Sequence, residues 1–260
     1  MTSSDISPGS AAQGPSAPTN GAAGGLIERH GAVLSRITHA ARDCGRDPAS
    51  IELLAVSKTF DASAVLELAS HGQRAFGESY LQEAIPKIEA CQRAWAMRSG
   101  AAQDDRLQWH FIGPVQSNKT RLIAQTFDWV HSIDRDRIAM RLSEQRPPEL
   151  GELMVCVQVD VSGEQTKSGC SPEEAVALGQ LIATLPRMRL RGVMAIPAPS
   201  DDFALQRAQF AQVRSVFEAM KSAGLAVDTL SIGMSGDLEA AVAEGATIVR
   251  VGSALFGSRG

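Results

Sequence analysis

The stretch SIGMSGDLEAAVAEGATIVRVGSALFG, residues 231–257, contains two strand-to-helix units in succession. An apolar strand runs into a Gly- and Ser-rich turn at residues 233–236, and a helical stretch then leads to a second apolar strand that ends at Gly252 and Ser253. Repeated β–loop–α units are typical of parallel sheets whose strands are connected by helices. The pattern therefore predicts an α/β protein, and the number of units decides its architecture.

Six further strand candidates precede this stretch, and each of the eight leads into a helical stretch, as in DASAVLELASHG. Eight β-then-α units within residues 26–260 match a single (β/α)8 TIM-type barrel, for which about 250 residues is typical. A doubly wound parallel sheet is the alternative that the pattern leaves open. No break in composition divides residues 26–260, so one domain is predicted. The strand candidates are Ile51–Ser57, Arg74–Gly77, Gln108–Ile112, Trp129–Ser132, Leu153–Asp160, Arg189–Ala195, Asp228–Ile232 and Thr247–Val251.

The first 25 residues differ from the rest of the chain, because they are rich in Ser, Ala, Pro and Gly and carry almost no charge. Such a segment cannot bury enough apolar surface to offset the entropy lost on ordering, so residues 1–25 are predicted to form a disordered tail. They have neither the basic start and apolar core of a secretory signal nor the arginines of a transit peptide. We therefore expect a cytoplasmic protein.

Charge and composition argue against several classes of protein. The net charge of -4 argues against binding nucleic acid through phosphate contacts, and no apolar run approaches the roughly 20 residues that span a bilayer. The four cysteines form no C-x-x-C pair and the histidines show no metal-ligand spacing, so neither a zinc site nor a disulfide framework is indicated. No coiled coil or swapped arm is evident, so a monomer is expected.

In a barrel of this kind the segments that follow the strands gather at one end, where functional sites are built. Here they are rich in Gly, Ser, Asn and Lys, as in FGES, HFIGPVQSNK and VDVSGEQTKSG. Turn formation accounts for each segment alone, but not for their concentration on the strand-to-helix side. The loops at residues 233–236 and 252–253 follow strands seven and eight, where barrels recurrently bind phosphate through helix N-termini. We predict a phosphate site there.

Lys58 ends the apolar strand of ELLAVSKTF, residues 52–60, and a lysine is almost never buried without a partner. A partly desolvated lysine at the mouth of a barrel, near other cations, can form a Schiff base with an aldehyde. Pyridoxal 5'-phosphate (PLP) carries both an aldehyde and a phosphate, and so does a sugar-phosphate substrate of a Schiff-base aldolase. A lysine that simply extends to solvent is the alternative interpretation.

Arg250 lies inside the last strand candidate among Ile248, Val249 and Val251, where an unpaired cation would be costly. It precedes Gly252 by two residues and so shares a face of the strand with that glycine. Either an acidic neighbour inside the barrel holds the guanidinium, or the guanidinium meets a ligand close to the phosphate. The residues alone leave both interpretations open.

Seven motifs together resemble the pyridoxal phosphate homeostasis protein family: LLAVSKTF, FGESYLQEA, WHFIGPVQSNK, HSIDR, SGEQTKSG, RGVMAIPAP and LSIGMSGDLEAAVAEGATIVRVGSALFG. The family is similar in fold to the barrel domain of alanine racemase, and it binds PLP without a known catalytic reaction. The resemblance implies that Lys58 carries the PLP aldimine and that Arg250 meets the pyridine nitrogen. It further implies that the phosphate is held by Ser235, Gly252 and Ser253.

Two other positions are interpreted through the same resemblance. Ser79 stands where the family usually has Asn beside the cofactor ring, and because serine is shorter its contact with the ring would be direct or through a water. Lys167 matches a family lysine at the mouth of the barrel, and is either a second aldehyde acceptor or a solvated loop lysine.

The resemblance implies a protein without a catalytic reaction that buffers or delivers PLP, with apo forms of PLP-dependent enzymes as its partners. A cation at the pyridine nitrogen would keep that nitrogen unprotonated, which weakens PLP as an electron sink and favours storage over catalysis. Two enzymatic alternatives stay open: a PLP-dependent amino-acid racemase and a Schiff-base aldolase acting on sugar phosphates.

Overall fold

The structure, a computed structural model, describes residue 1 and residues 25–99, 105–162 and 168–257. Eight parallel strands pair in chain order and close into a barrel, because the last strand pairs with the first. The closed ring confirms the (β/α)8 barrel and excludes the doubly wound sheet, and each predicted strand is found within two residues of its bounds. The strands are β1 (Glu52–Val56), β2 (Ala75–Glu78), β3 (Gln108–Phe111), β4 (Trp129–Ile133), β5 (Leu153–Gln158), β6 (Met188–Met194), β7 (Thr229–Ser231) and β8 (Ile248–Val251).

Helices cover the outside of the barrel, and capping residues begin several of them. Asp61 and Asp202 accept hydrogen bonds from the first turns of the helices that they precede. Ser171 and Glu174 form a reciprocal capping box. The helices are α1 (Leu26–Asp43), α2 (Ala62–Ser70), α3 (Leu81–Ser99), α4 (Thr120–Thr126), α5 (Asp136–Gln145), α6 (Pro172–Thr184), α7 (Phe203–Ser222), α8 (Leu238–Ala243) and α9 (Ser253–Phe256).

The main apolar core lies between the barrel and its helices, and alternation along each strand decides which side chains join it. On β1, Leu53 and Ala55 point outward into this core, whereas Leu54 points inward and packs on Ala75 and Ile248. Lys58 follows the last residue of β1 by two positions, at the end of the barrel where the strands end. Residues 2–24 lie outside the described residues, and with them nearly all of the predicted disordered tail.

Three of the four cysteines lie inside the protein. The thiols of Cys91, Cys156 and Cys170 are buried, and burial raises the pKa of Cys91 to about 11, so this thiol does not ionise near neutral pH. Within the described ranges, no group of His, Cys, Asp or Glu side chains is arranged to hold a metal ion. No helix in that part of the chain combines the length and the apolar character that crossing a membrane requires.

Candidate functional site

Lys58 lies in a tight turn directly after β1. Its side chain is half-buried, and its ammonium nitrogen lies 5.9 Å from the centroid of the Tyr80 ring. The turn is closed by a hydrogen bond of 3.1 Å from the Phe60 N–H to the Ser57 carbonyl. Because β1 and β2 are paired neighbours, the segments that follow them meet, and this brings Tyr80 to Lys58.

The loops after β7 and β8 meet at two serines. The Ser253 hydroxyl donates to Ser235 Oγ over 3.1 Å, and the Ala254 N–H donates to the same oxygen over 3.2 Å. Ser235 is half-buried and Ser253 is exposed, so both lie at the surface of the barrel mouth. A hydroxyl and a main-chain N–H thus converge on one point, the arrangement from which an anion site is built.

Gly252 places this pair of loops beside the end of β1. A Cβ atom at position 252 would lie 3.4 Å from Val56 Cβ, two residues before Lys58. The Phe60 and Phe256 rings stack with their centroids 4.6 Å apart, and so connect the Lys58 turn to α9. Lys58 and the two serine loops therefore belong to one end of the barrel, across the junction of β1 and β8.

Arg250 points into the barrel and is held by oxygens that carry no full charge. Its guanidinium donates to the Ser231 carbonyl over 2.6 Å, to Ser231 Oγ over 2.9 Å and to the Ala195 carbonyl over 3.0 Å. No carboxylate forms an ion pair with it among the residues that the structure describes. Burial lowers the pKa of Arg250 to about 10, so the side chain stays cationic at neutral pH. The acidic neighbour considered from the sequence is therefore not observed. Two carbonyls and a hydroxyl hold the guanidinium instead.

A chain of polar side chains leads from Arg250 through the barrel interior. Ser231 Oγ lies 2.9 Å from His131 Nδ1, and His131 Nε2 lies 2.9 Å from His110 Nδ1. The His110 ring stacks on Trp129 with a centroid distance of 5.1 Å, and its Nε2 is buried with no hydrogen-bond partner among the described residues. These histidines were not predicted from the sequence. The available signal was a polar residue within each of four otherwise mainly apolar strands, β3, β4, β7 and β8.

Both interior histidines are neutral, and this predicts a pH dependence of stability. Burial lowers the pKa of His110 from 6.5 to about 3, and burial followed by the charges of His110 and Arg250 holds the pKa of His131 well below its ordinary value. Between these folded values and 6.5 the unfolded chain binds more protons, so the free energy of unfolding falls as the pH is lowered. The slope reaches about 1.4 kcal/mol per pH unit for each histidine.

Urea unfolding measured at several values between about pH 7 and 5 tests this expectation. In His110→Asn an amide that does not titrate replaces the ring. The slope of the unfolding free energy against pH should therefore fall by up to about 1.4 kcal/mol per pH unit, the contribution of one proton, relative to the unaltered chain. An equal slope in His110→Asn and the unaltered chain would contradict the assignment.

Ser79 borders a surface cavity next to the mouth. The cavity measures about 350 Å³ and includes Tyr80, Pro114 and Lys119 in its lining. Pro114 also lines a cavity of about 300 Å³ at the ends of β3, β5, β6 and β7. Ser79 thus lies at the same end of the barrel as Lys58, on the β2–β3 side rather than beside the two serine loops. Lys167 lies outside the described residues.

A charged cluster, formed by Glu78, Glu83 and Lys87, lies on the α3 side of the turn that contains Lys58 and was not identified from the sequence. Glu78 and Lys87 are buried, and Glu83 is half-buried. Lys87 Nζ lies 2.9 Å from Glu78 Oε1 and 2.7 Å from Glu83 Oε1. The Ser57 hydroxyl also donates to Glu78 Oε1, over 2.7 Å. Burial raises the pKa of Glu78, although its bonds with Lys87 and Ser57 oppose the shift. The spacing of Glu83 and Lys87, four residues apart on α3, was the available signal.

Comparison with known proteins places this geometry in a family. The family model described as alanine racemase, N-terminal domain, matches residues 33–260. A protein of Pseudomonas aeruginosa named pyridoxal phosphate homeostasis protein is 54% identical over 234 residues, covering 90% of this chain and 96% of that protein. The chain belongs to the pyridoxal phosphate homeostasis protein family.

Two further comparisons support the same assignment. The Escherichia coli protein of that name is 49% identical over 227 residues, which are 87% of this chain and 94% of that protein. The structure of PipY from Synechococcus elongatus, with PLP bound, is 34% identical with a TM-score of 0.73 and covers 90% of this chain and all of that one. The match therefore extends over nearly the whole length of these relatives.

Proposed function

We propose that this chain binds PLP as a Schiff base of Lys58 and buffers or delivers it in the cytoplasm. The observation that carries the proposal is the position of Lys58 beside the converging donors of Ser253 and Ala254, across the β1–β8 junction. PLP presents an aldehyde and a phosphate on one ring, so it suits an amine and an anion site at the same barrel mouth. The solved structure of PipY with PLP bound supports the same ligand.

The residues at the mouth fit the two reactive ends of PLP. The neutral amine of Lys58 would donate its lone pair to the aldehyde carbon, and loss of the carbonyl oxygen as water, with two protons from the amine, leaves a C=N bond. The Ser235 and Ser253 hydroxyls and the N–H groups that follow Gly252 would hold the phosphate. Ser79, which lines the cavity next to the mouth, would approach the ring directly or through a water.

The position of Arg250 favours a protein that retains PLP rather than one that uses PLP to stabilise carbanions. Its guanidinium is cationic, faces the interior and has carbonyl and hydroxyl partners that leave its full charge uncompensated. A cation placed at the pyridine nitrogen disfavours protonation of that nitrogen, and an unprotonated ring withdraws electrons weakly. The chain would then retain the cofactor without using it, in keeping with relatives named as homeostasis proteins.

The proximity of Tyr80 to Lys58 gives the racemase alternative a specific basis, because racemisation needs an acid–base group on each face of the substrate. Tyr80 is the only tyrosine in the sequence. Its ring is half exposed and lies next to the ammonium of Lys58. Tyr80 and Lys58 would therefore act on the same face of a substrate. Positioned acid–base groups contribute about 10²- to 10⁴-fold each, so a single face allows only slow exchange.

One experiment separates these functions. The purified protein mixed with PLP should become yellow, should load an apo form of a PLP-dependent aminotransferase, and should form no D-isomer from L-alanine, L-serine or L-glutamate. Loading measured with a phosphatase that destroys free PLP distinguishes direct delivery from release into solution. Sustained D-isomer formation that is lost in Tyr80→Phe would establish the racemase instead. A protein that stays colourless with PLP would favour the sugar-phosphate aldolase.

A further inference from the structure

We infer that Glu78, Glu83 and Lys87 are positioning residues that fix the main chain on both sides of Lys58. The inference rests on the proposed function of Lys58 as the amine that binds PLP. The three side chains belong to β2 and α3. They lie between the strands and α3, and their hydrogen bonds reach the two residues that flank Lys58 in sequence.

Lys87 holds the residue before Lys58. Its ammonium has three donors, and the structure gives each an acceptor: the Ser57 carbonyl at 2.9 Å, Glu78 Oε1 at 2.9 Å and Glu83 Oε1 at 2.7 Å. The Ser57 hydroxyl is bound to Glu78 as well. The carbonyl and the side chain of Ser57 are thus both fixed from the α3 side, in a fully buried position.

Glu83 holds the residue after Lys58. Its Oε1 accepts the Thr59 N–H, and Thr59 has a φ of 71°. A β-branched residue in this left-handed region is a genuine outlier, and it persists only where the surroundings impose it. The strained residue directly follows Lys58, so the direction in which Lys58 leaves the backbone depends on a conformation that Glu83 supports.

Stability alone does not account for this cluster. Replacing a buried ion pair by apolar residues of similar size is often neutral or stabilising. Glu78 Oε2 is buried with no hydrogen-bond partner among the described residues, which is a cost rather than a gain. The cluster instead fixes the turn that contains Lys58, through its hydrogen bonds to Ser57 and Thr59. Sites that must hold a reactive group in one direction depend on this kind of support from neighbouring elements.

The test compares two variants that each remove one buried cation. Lys87→Met removes the three hydrogen bonds described above. Arg146→Met removes bonds to the carbonyls of Ala124, Phe127, Leu150 and Gly151, at the opposite end of the barrel. Two ligands are titrated into each: PLP, followed by the visible absorbance of the Schiff base, and pyridoxamine 5'-phosphate, which has the phosphate and ring but no aldehyde.

In Lys87→Met the equilibrium constant for Schiff-base formation should fall about tenfold to a hundredfold, because a displacement of about 1 Å has that effect on a reacting group. The affinity for pyridoxamine 5'-phosphate should change by less than about twofold in the same variant, since the phosphate loops are untouched. Arg146→Met should alter neither quantity. Equal Schiff-base formation in Lys87→Met and the unaltered chain, or an equal loss in Arg146→Met, would overturn the inference.

A second pair of variants covers the case in which Lys87→Met does not fold. Glu83→Met removes the acceptor of the Thr59 N–H while the bond between Lys87 and Glu78 remains, and it should also weaken Schiff-base formation. Adding Thr59→Gly should restore part of the loss, because glycine adopts a positive φ without strain and needs no support. Rescue of this kind is expected only if the backbone at Thr59 directs Lys58. Its absence would contradict the role of Glu83.

Lys58→Ala separates this inference from the function on which it rests. If that variant still forms the same Schiff base, the proposed function fails before the positioning residues are at issue. If it forms none while Lys87→Met and Glu83→Met both form it normally, the proposed function stands and the positioning role of the cluster is wrong.

Discussion

Replacement of Lys58 by alanine is expected to abolish the visible absorbance of the protein–PLP complex. Lys58 is half-buried in the turn after β1, and because β1 pairs with β8 it lies at the same end of the barrel as the loops that would hold the phosphate. The phosphate and ring contacts would remain, so PLP should still bind, with an affinity about tenfold to a hundredfold lower, or about 1.4 to 2.8 kcal/mol. Absorbance titration and equilibrium dialysis measure the two effects separately.

Lys119 provides the matched control for this variant. It is also a half-buried lysine at the same end of the barrel, and it lines the cavity beside Ser79 and Tyr80. Lys119→Ala should keep the yellow complex. Borohydride reduction followed by peptide mass mapping should place the label on the peptide that contains Lys58. A label found only on another lysine, in fresh protein with equimolar PLP, would refute the assignment.

The second large effect is expected from negative charge at the paired loops. In Ser235→Asp the carboxylate would accept the Ala254 N–H and the Ser253 hydroxyl, and so would occupy the place of the phosphate with a charge of the same sign. In Gly252→Asp both bulk and charge would be added beside Val56. Each variant should weaken PLP binding by more than the roughly 1–3 kcal/mol of one lost buried hydrogen bond.

Alanine at the same positions separates charge from the loss of shape. A Cβ atom at position 252 meets Val56 only at ordinary contact distance, so Gly252→Ala should fold and bind PLP nearly normally. Ser235→Ala should lose only the hydrogen bonds of the hydroxyl. Unchanged affinity for PLP in both aspartate variants, with the fold intact by circular dichroism, would exclude this phosphate site.

The barrel was predictable because its signals are local. Each strand is an apolar run that ends in a loop of small and polar residues, and eight such units in one domain admit few architectures. The position of Lys58, Ser235 and Ser253 at one end of the barrel followed from that topology, since parallel strands that close a ring bring their ends together. That much required no knowledge of any side-chain contact.

The interior network was not predictable in the same way. Ser231 and His131 are hydrogen-bonded although 100 residues separate them. Such a contact depends on the register of strands across the barrel and on which residues of each strand face inward, and a shift of one residue reverses that set. The cluster of Glu78, Glu83 and Lys87 was not predictable for a similar reason. Glu78 lies on a strand and Lys87 on the following helix, so their contact depends on how the helix packs on the strand.

The stacking of Phe60 on Phe256 has a consequence for how the barrel is assembled. These rings join the first strand-to-helix connection to the last helix, so the candidate site lies on the seam where the ring closes. Contacts between residues so far apart in sequence form only after most of the chain has been ordered, because closing a long loop costs entropy. A ligand bound across this seam binds the closed ring and not the open chain. By mass action it therefore shifts the folding equilibrium of the entire barrel.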